Sequence, residues 1–390
     1  MRDGWNCTRR PYSSVIDTTS LRRTAVTAGA AAFGITTAAT FVEARDALLH
    51  HRSQGTSGPL HFTYDDPETA TDISISFPWA ASLVVIGVEY ASQADSPAST
   101  GPLVARFATS DHYELVRIVV GKVAGALEAS GARAEVVFDD NRLVDRAAAA
   151  RAGVGWIGKS TMVLAPGVGP WMLLGTVVTD AALVPTPTTR RSCGSCVACM
   201  PACPTTAITD AGLDARRCLS TWLQTSGFLP LWIRPLIGRR IYGCDDCLSS
   251  CPPGFKIKRE EHGEGLSFVE LLALADDDLV ARFSWWFIPH RDGRYLRRNL
   301  LVAAGNSCEG EALKPIEEHL HHRSSMIRSH AAWALARQRP AWADATLRAA
   351  LGRERAPEAR QELAIALTML GAERDYEALL AADELARTAS

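Results

Sequence analysis

Residues 193–204, CGSCVACMPACP, place four cysteines within eleven positions and follow the last of them with a proline. A second run at residues 244–252, CDDCLSSCP, adds three cysteines before another proline, and Cys218 lies between the two runs. Eight of the ten cysteines therefore fall within residues 193–251. Because a secreted disulfide protein usually spreads its cysteine pairs along the chain, this clustering indicates metal binding in a reducing compartment.

The spacing of these cysteines favours iron–sulfur clusters. The first run reads C-x2-C-x2-C-x3-C before proline, the pattern of bacterial ferredoxins, in which the fourth cysteine of a run ligates the other cluster. Eight cysteines are the number that two [4Fe–4S] clusters need. The pattern predicts one cluster on Cys193, Cys196, Cys199 and Cys251, and another on Cys203, Cys218, Cys244 and Cys247. A zinc ribbon, the alternative, would use four ligands and leave four cysteines unexplained.

The cysteine-rich stretch separates two regions of different patterning. Residues 20–190 alternate helical and strand-like segments, such as HYELVRIVVGKVAGALEAS at 112–130 and the apolar run ASLVVIGVEY at 81–90, which predicts an α/β domain. Residues 191–262 are expected to form a ferredoxin-like double [4Fe–4S] module. Residues 263–390 are expected to be all helical.

The helical region carries a repeat. RRNLLVAAGN begins at Arg297, RSHAAWALAR at Arg328 and RQELAIALTM at Arg360, at offsets of 31 and 32 residues, and a second helix is expected between successive copies. Helix pairs repeated at this scale predict a short HEAT-like solenoid, although HEAT repeats are usually longer. Three unrelated alanine-rich helices are the alternative.

The glycine-rich stretch GVGWIGKS at 153–160 matches two nucleotide-binding patterns, the P-loop and the dinucleotide fingerprint. Both patterns need a strand before the loop and a helix after it, because the helix N-terminus supplies the N–H groups that bind phosphate. Here a helical pattern precedes Gly153 and a strand-like pattern follows, so ATP and NAD binding are not expected. Since glycine lets the backbone approach a ligand closely, a role in holding a cofactor is expected instead.

Composition sets further limits. The chain has 390 residues, 47% of them hydrophobic and 22% charged, with a net charge of −2, so any basic partner surface must be local.

Residues 20–35, SLRRTAVTAGAAAFGI, resemble a twin-arginine export signal, but a surface helix followed by a strand is the preferred interpretation. No apolar run reaches the ~20 residues that span a bilayer. We expect a cytoplasmic protein.

Taken together, these motifs resemble the epoxyqueuosine reductases, cobalamin- and iron–sulfur-dependent enzymes that complete queuosine synthesis on tRNA. The stretches that carry the resemblance include the glycine-rich loop with its preceding helix and both cysteine runs. They are DRAAAARAGVGWIGKS (145–160), CGSCVACMPACPTTAI (193–208), LDARRCLS (213–220), RPLIGRRIYGCDDCLSSCP (234–252) and RRNLLVAAGNS (297–307). The resemblance runs from about residue 20 to about residue 345.

The resemblance implies a mechanism and a catalytic residue. The α/β domain would hold cobalamin beside the first cluster, and the clusters would pass electrons to its cobalt so that the epoxide becomes an alkene and its oxygen leaves as water. An acid is needed because an epoxide oxygen leaves poorly until it is protonated. The family's aspartate lies a few residues before the DRAAAARAG stretch, which points to Asp139 in VFDDN (137–141), with neighbouring Asp140 as the alternative.

Other contacts are implied for the cofactor and for RNA. Candidate cobalamin residues lie in the glycine-rich loop and beside the cluster ligands: Trp156, Lys159, Ser220, Asp245 and Asp246. Two arginine-rich stretches are candidate tRNA-binding surfaces, supplying Arg234, Arg239, Arg240, Arg291, Arg294, Arg297 and Arg298. We expect a monomer that takes electrons from an external low-potential donor and does not enter a membrane.

Several positions depart from the family pattern. The usual Asp-Ser-Ala-Pro is replaced by residues 139–142, DDNR, and the usual Asp-Tyr-His by residues 111–113, DHY. Two other functions therefore stay open: a related cobalamin and iron–sulfur reductase acting on another electrophile, as the reductive dehalogenases do, and a non-catalytic iron–sulfur or RNA-binding protein. No pattern assigns a role to Cys7 or Cys308.

Overall fold

The computed structural model describes residues 17–90, 101–254, 266–307 and 310–388. Cys7 and Cys308 lie outside these ranges. In the described part of the chain, no helix is long and apolar enough to cross a membrane.

The N-terminal region alternates helices and strands, as predicted. Its helices are α1 (Thr18–Ala28), α2 (Val42–Ser53), α3 (Pro67–Thr71), α4 (Ile73–Ser76), α5 (His112–Ala129) and α6 (Asp145–Arg151). Its strands are β1 (Ala32–Thr37), β2 (Ser82–Glu89), β3 (Leu103–Val104), β4 (Ala134–Val137), β5 (Trp156–Ile157), β6 (Val163–Leu164) and β7 (Met172–Thr179). The arginine pair of the export-like segment lies in α1, whose Leu21 and Ala25 are buried against the sheet.

The central sheet has the strand order β1-β2-β7-β4, and every neighbouring pair is antiparallel. Alternate residues of β2 enter two different cores. Val84 and Ile86 pack toward α1 and α5, whereas Leu83 and Val85 pack on the opposite face with α6. Coverage of both faces explains why the β2 sequence is apolar throughout.

The cysteine-rich region is built from short elements: α7 (Cys199–Ala202), β8 (Ile208–Thr209), β9 (Gly212–Leu213), α8 (Leu219–Leu223), α9 (Arg234–Ile237), β10 (Arg240–Tyr242) and α10 (Asp246–Ser249). Strand β10 pairs in parallel with β3, which ties this region to the N-terminal domain. Its apolar residues, such as Leu223 and Ile241, share one core with Leu300 and Trp333 of the C-terminal helices. The predicted boundary at residues 262 and 263 lies outside the described residues and stays a prediction.

The C-terminal region is all helical in its described residues. Its helices are α11 (Phe268–Ala273), α12 (Asp276–Arg282), α13 (Gly293–Ser307), α14 (Leu313–Glu318), α15 (Ser325–Gln338), α16 (Ala343–Arg353), α17 (Pro357–Gly371) and α18 (Glu373–Thr388). The three repeated segments lie in α13, α15 and α17, and α14 and α16 are the predicted intervening helices.

Helices α13, α15 and α17 lie side by side in the same direction. Near their C-terminal ends, the Gln338 side chain donates to the Ala304 carbonyl at 2.7 Å, and that of Arg339 to the Met369 carbonyl at 2.6 Å. At their N-terminal ends, Ser325 donates to the Glu358 carboxylate at 2.8 Å. The N-termini of the repeats therefore line one edge of the helical region.

Candidate cluster ligands and active site

The fold gathers the eight predicted ligand cysteines around short helices of the cysteine-rich region. Cys199 begins α7, Cys218 caps α8, and Cys247 lies in α10. Burial, followed by the charges of Cys193, Cys199 and Cys196, raises the pKa of the Cys251 thiol to about 11. The last cysteine of the second run therefore lies beside the first run, as the crossed ligand assignment predicts.

The other four thiols are grouped in the same way. Burial raises the pKa of Cys247, and the thiolates of Cys244, Cys218 and Cys203 raise it further. Burial also raises the pKa of Cys218, with a smaller contribution from Cys203. The electrostatic neighbours thus group Cys193, Cys196, Cys199 and Cys251 as a first set, and Cys203, Cys218, Cys244 and Cys247 as a second. In the described residues, no three of these side chains lie close enough to share a single metal ion, and their ligation of two clusters stays a prediction.

The glycine-rich loop lies against the first set. Helix α6 precedes it and the β5–β6 hairpin follows, an order opposite to that of a phosphate-binding loop. A Cβ on Gly155 would meet the Leu164 carbonyl carbon at 2.8 Å, and one on Gly158 would meet Leu164 Cδ1 at 2.9 Å and Cys193 Sγ at 3.5 Å. A side chain at either glycine would therefore collide with the protein itself, and the role of this loop in holding a cofactor stays a prediction.

Two side chains of this loop were candidate cobalamin contacts. The backbone N–H of Lys159 donates to Cys193 Sγ at 3.4 Å, a contact that orders the first set. The indole Nε1 of Trp156 is buried and has no hydrogen-bond partner among the described residues. A buried donor of this kind is costly unless a ligand accepts from it.

The three candidates near the second set have partners within the protein. Ser220 Oγ accepts from Gln224 Nε2 at 2.9 Å. Asp245 accepts from the backbone N–H of Arg106 at 2.6 Å. Asp246 forms an ion pair with Arg240 at 2.6 Å. These contacts order the loops that carry Cys218, Cys244 and Cys247.

Asp139 follows β4 and adopts a left-handed backbone conformation with φ of 50°. Its side chain is accessible to solvent, yet surrounding protein raises the pKa of its carboxyl, and the charge of Asp140 raises it further. Because a raised pKa favours the protonated form, this carboxyl is suited to donate a proton.

Asp140 is in a different environment. Its carboxylate accepts from Arg142 Nη2 at 2.6 Å and from Arg142 Nε at 3.0 Å, and these hydrogen bonds lower the pKa of Asp140. A carboxylate held in this way stays ionised at neutral pH. The geometry therefore favours Asp139 over Asp140 as the acid.

Sequence reasoning missed three neighbours of Asp139. Burial raises the pKa values of Tyr113 in α5 and Tyr242 in β10, and the charge of Asp139 raises both further. Burial followed by the charge of Asp139 raises the pKa of Asp145, the first residue of α6, to about 8, and its Oδ1 has no hydrogen-bond partner. Asp145 was visible in the DRAAAARAG motif, but only the fold places it beside Asp139.

A hydrogen-bond chain leads from Tyr242 toward the second set. The Tyr242 hydroxyl donates to Gln224 Oε1 at 3.2 Å and accepts from the Phe287 N–H at 2.8 Å. Gln224 donates in turn to Ser220, two residues after Cys218. Tyr242 is thereby fixed between Asp139 and the cysteine-rich region.

Three of the predicted RNA-binding arginines are buried, and for them the prediction is wrong. Arg234 is 1% exposed and pairs with Glu362 at 2.7 Å. Arg297, 4% exposed, binds Asp276 and carbonyls at the end of α11. Arg298 is fully buried and donates to the Gly227 and Trp222 carbonyls. Their guanidinium groups stabilise the fold and cannot reach a phosphate.

The other four arginines are at least partly accessible but already have partners. Arg239 donates to the Gly101 carbonyl at 2.8 Å, and Arg240 pairs with Asp246. Arg291 donates to three carbonyls, among them that of Trp286 at 3.1 Å. Arg294 pairs with Asp292 at 2.5 Å.

An α/β domain beside two sets of four thiols defines an iron–sulfur oxidoreductase. Residues 192–254 match the family of 4Fe-4S double cluster binding domains. The epoxyqueuosine reductase of Bacillus subtilis (strain 168) is 32% identical over 359 residues, which cover 87% of this chain and 92% of the relative. That of Xanthomonas campestris pv. campestris is 31% identical over 321 residues, covering 76% and 90%. The chain belongs to the epoxyqueuosine reductase family.

Solved structures agree with this relationship. An epoxyqueuosine reductase crystallised with an epoxyqueuosine-modified tRNA-Tyr stem loop superposes with a TM-score of 0.83 at 29% identity, covering 91% of this chain and 98% of the other. A structure of the B. subtilis enzyme, with its catalytic aspartate loop swung out of the active site, superposes with a TM-score of 0.80 at 29% identity, covering 90% and 98%.

Proposed function

We propose that this protein reduces epoxyqueuosine at the wobble position of the tRNA anticodon to queuosine. The observation that carries the proposal is the 32% identity to the B. subtilis epoxyqueuosine reductase across 87% of the chain. Overall, the epoxide takes up two electrons and two protons, both C–O bonds break, an alkene forms, and the oxygen leaves as water.

Asp139 is the proposed proton donor to the epoxide oxygen. Its raised pKa favours the protonated form, whereas the hydrogen bonds from Arg142 lower the pKa of Asp140. Tyr113 and Tyr242 lie near enough to feel the charge of Asp139, and their raised pKa values keep their hydroxyls protonated and able to donate hydrogen bonds. The presence of a catalytic aspartate loop in the B. subtilis relative supports this assignment.

Two buried polar atoms without partners among the described residues support a bound corrin in the α/β domain. The unpartnered indole N–H of Trp156 can donate to a corrin amide, and Arg146 links its loop to α6 by donating to the Thr161 carbonyl at 3.0 Å. The same α6 carries Asp145, whose Oδ1 also lacks a partner. Lys159 would adjoin the corrin from the glycine-rich loop. When bound, the two clusters supply one-electron transfer, and cobalamin supplies a reducing cobalt centre.

The remaining assignments follow from this function. The packed α13, α15 and α17 support a HEAT-like repeat domain. Arg239, Arg240, Arg291 and Arg294, the accessible members of the predicted set, stay candidates for tRNA contact. Since tRNA modification occurs where tRNA is made, we place the protein in the cytoplasm, as a monomer that receives electrons from an external low-potential donor.

The proposal is tested with anaerobically purified protein supplied with cobalamin, a strong reductant and epoxyqueuosine-containing tRNA. Mass spectrometry of the digested nucleosides should find the loss of one oxygen atom, and omission of cobalamin should prevent it. No conversion by protein that retains both clusters and cobalt would overturn the assignment and favour a related reductase with another electrophilic substrate.

A further inference from the structure

The first set of cysteines lies at the protein surface. Of the eight predicted ligands, Cys196 is exposed, and the other seven are partly buried. The loop residues around it, 194–197, are exposed as well. The second set lies on the side of Asp139, since Tyr242, two residues before Cys244, is buried and lies near enough to feel the charge of Asp139. The exposed position of Cys196 therefore offers an external electron donor a direct approach to the first set.

Two apolar side chains beside the first set are also exposed. Val197 follows Cys196 in the loop. Ile157 precedes Gly158, at which an added Cβ would lie 3.5 Å from Cys193 Sγ. Both apolar side chains are nearly half exposed. Protein interfaces concentrate their apolar contacts at the centre of the patch, and electron-transfer complexes use small patches. These two side chains are therefore suited to a brief contact with another protein.

The chain around the first set is positively charged. Residues 181–209 contain Arg190 and Arg191 and no aspartate or glutamate, and residues 152–179 contain no acidic residue either. Both arginines are exposed, and neither forms an ion pair with the described residues. The guanidinium carbon of Arg191 lies 5.9 Å from the centroid of the Trp156 ring, which places it beside the glycine-rich loop. We call this surface the entry face, formed by Ile157, Arg190, Arg191, Cys196 and Val197.

The second set lacks this excess of positive charge. Asp245 and Asp246 lie between two of its cysteines, Cys244 and Cys247. The nearby Arg240 is neutralised by Asp246 at 2.6 Å. Because complementary charge speeds association and suppresses wrong orientations, an acidic partner protein is directed to the first set.

We propose that the entry face binds a small acidic electron carrier of the ferredoxin class, which reduces the first cluster. The inference rests on the proposed function, since that reaction needs an external donor of two electrons. In each encounter the reduced carrier loses one electron and the cluster gains one, while no bond forms or breaks and no proton moves. Two encounters supply the two electrons that the epoxide takes up. Plant-type ferredoxins are carriers of suitably low potential.

The test follows electron transfer from a reduced, acidic plant-type [2Fe–2S] ferredoxin to the full-length protein, anaerobically reconstituted with its clusters and cobalamin. Stopped-flow absorbance measures the second-order rate constant at about 10 mM and about 1 M salt, between which the Debye length falls from ~30 to ~3 Å. The variant is the double substitution Arg190→Glu with Arg191→Glu. Iron content, cobalamin content and thermal melting check that each variant is intact.

Two further variants serve as controls. Arg22→Glu with Arg23→Glu changes the net charge equally, because these adjacent arginines are also exposed. They lie in α1, which packs on the opposite face of the central sheet from α6 and the glycine-rich loop that follows it. Arg190→Lys with Arg191→Lys keeps the charge of the entry face.

The glutamate variant of the entry face should react at least about tenfold more slowly than wild type at low salt, since electrostatic steering raises association rates by about 10–10³. The difference should disappear at high salt, where the charges are screened. Both control variants should stay close to wild type. Reduction by dithionite at high salt should be the same in all four proteins.

Three results would overturn the proposal. The first is an equal low-salt rate for wild type and the glutamate variant of the entry face. The second is slow reduction of that variant by dithionite as well, because the cluster itself would then be altered. The third is a loss of affinity for a tRNA anticodon stem loop with no change in the ferredoxin rate, because the face would then be an RNA surface.

Failure of the proposed reaction gives a different result. Wild-type protein that accepts electrons through Arg190 and Arg191 but does not convert epoxyqueuosine would support the entry face and overturn the reaction. Conversion of epoxyqueuosine with reduction that is independent of these arginines would support the reaction and overturn the entry face.

Discussion

Arg142 holds the carboxylate of Asp140, with Nη2 2.6 Å from Oδ2, and so separates the roles of two adjacent aspartates. The same guanidinium reaches Glu135 at 3.3 Å. Asp139 has no ion pair or side-chain hydrogen bond with the described residues, and its pKa is raised by burial and by the Asp140 charge. The pKa values of two carboxyls next to each other in sequence are thus shifted in opposite directions. The shift favours the protonated form of Asp139 and the ionised form of Asp140.

The crossed arrangement of the cysteines predicts which double substitutions remove one cluster and which remove both. Cys199→Ala with Cys251→Ala should remove only the first cluster and leave about four irons per chain. Cys199→Ala with Cys203→Ala should remove both, although these two residues lie in the same run. Iron analysis and electron paramagnetic resonance after anaerobic reconstitution measure the outcome. Cys308→Ala, outside the two sets, is the control and should keep about eight irons.

An uncrossed arrangement gives the opposite result. If each run held its own cluster, the Cys199 and Cys203 pair would leave about four irons, and the Cys199 and Cys251 pair would leave none. This result would contradict the grouping that the thiol environments indicate.

The packing of the glycine-rich loop predicts the effect of alanine at Gly155. The added Cβ would lie 2.8 Å from the Leu164 carbonyl carbon and 3.0 Å from Val163 Cγ1, so Gly155→Ala should destabilise the fold by about 1–3 kcal/mol. Gly121→Ala in α5 is the control, because a Cβ added there would meet nothing within 4 Å and alanine favours a helix by about 0.5–1 kcal/mol. The melting temperature should fall for Gly155→Ala and rise slightly for Gly121→Ala. A Gly155→Ala variant as stable as wild type would contradict this packing.

The burial of Asp145 predicts a pH-dependent stability. Its pKa of about 8 in the folded protein exceeds the ~3.9 of an unfolded aspartate. The folded state therefore keeps a proton that the unfolded state releases, and stability falls as the pH rises from about 4 to about 8, by at most about 1.4 kcal/mol per pH unit. Asp145→Asn cannot ionise and should flatten this fall. Urea unfolding midpoints at pH 5, 6 and 7 measure the difference between the two proteins, and equal pH dependence in both would contradict the assignment.

The sequence was sufficient for features that depend on local spacing. Cysteine spacing and proline placement predict the double-cluster region, and apolar periodicity predicts α5, β2 and the repeated helices. It did not indicate strand direction, because an apolar run such as β2 is expected in any sheet covered on both faces. The RNA role predicted for Arg297 was wrong, because Arg297 binds carbonyls at the end of α11. Arg360, which begins the third repeated segment, likewise binds the carbonyls of Leu351 and Glu354 at the end of α16.

Which residues lie near Asp139 in the candidate site depends on packing between distant parts of the chain. Tyr113, Asp145 and Tyr242 come from α5, α6 and β10, and no local pattern relates them to Asp139. Likewise, a stretch rich in arginine predicts an RNA surface only if the side chains reach solvent, and Arg298 instead binds two backbone carbonyls inside the core.

The central claim, that Asp139 donates the proton in epoxyqueuosine reduction, is tested most directly by comparing Asp139→Asn with Asp140→Asn in single-turnover conversion of epoxyqueuosine tRNA. Both variants should retain their iron and cobalamin. Asp139→Asn should lower the rate by about 10²–10⁴-fold, the range of general acid catalysis, and Asp140→Asn should lower it far less. Comparable rates for Asp139→Asn and wild type, at equal cofactor content, would contradict the account.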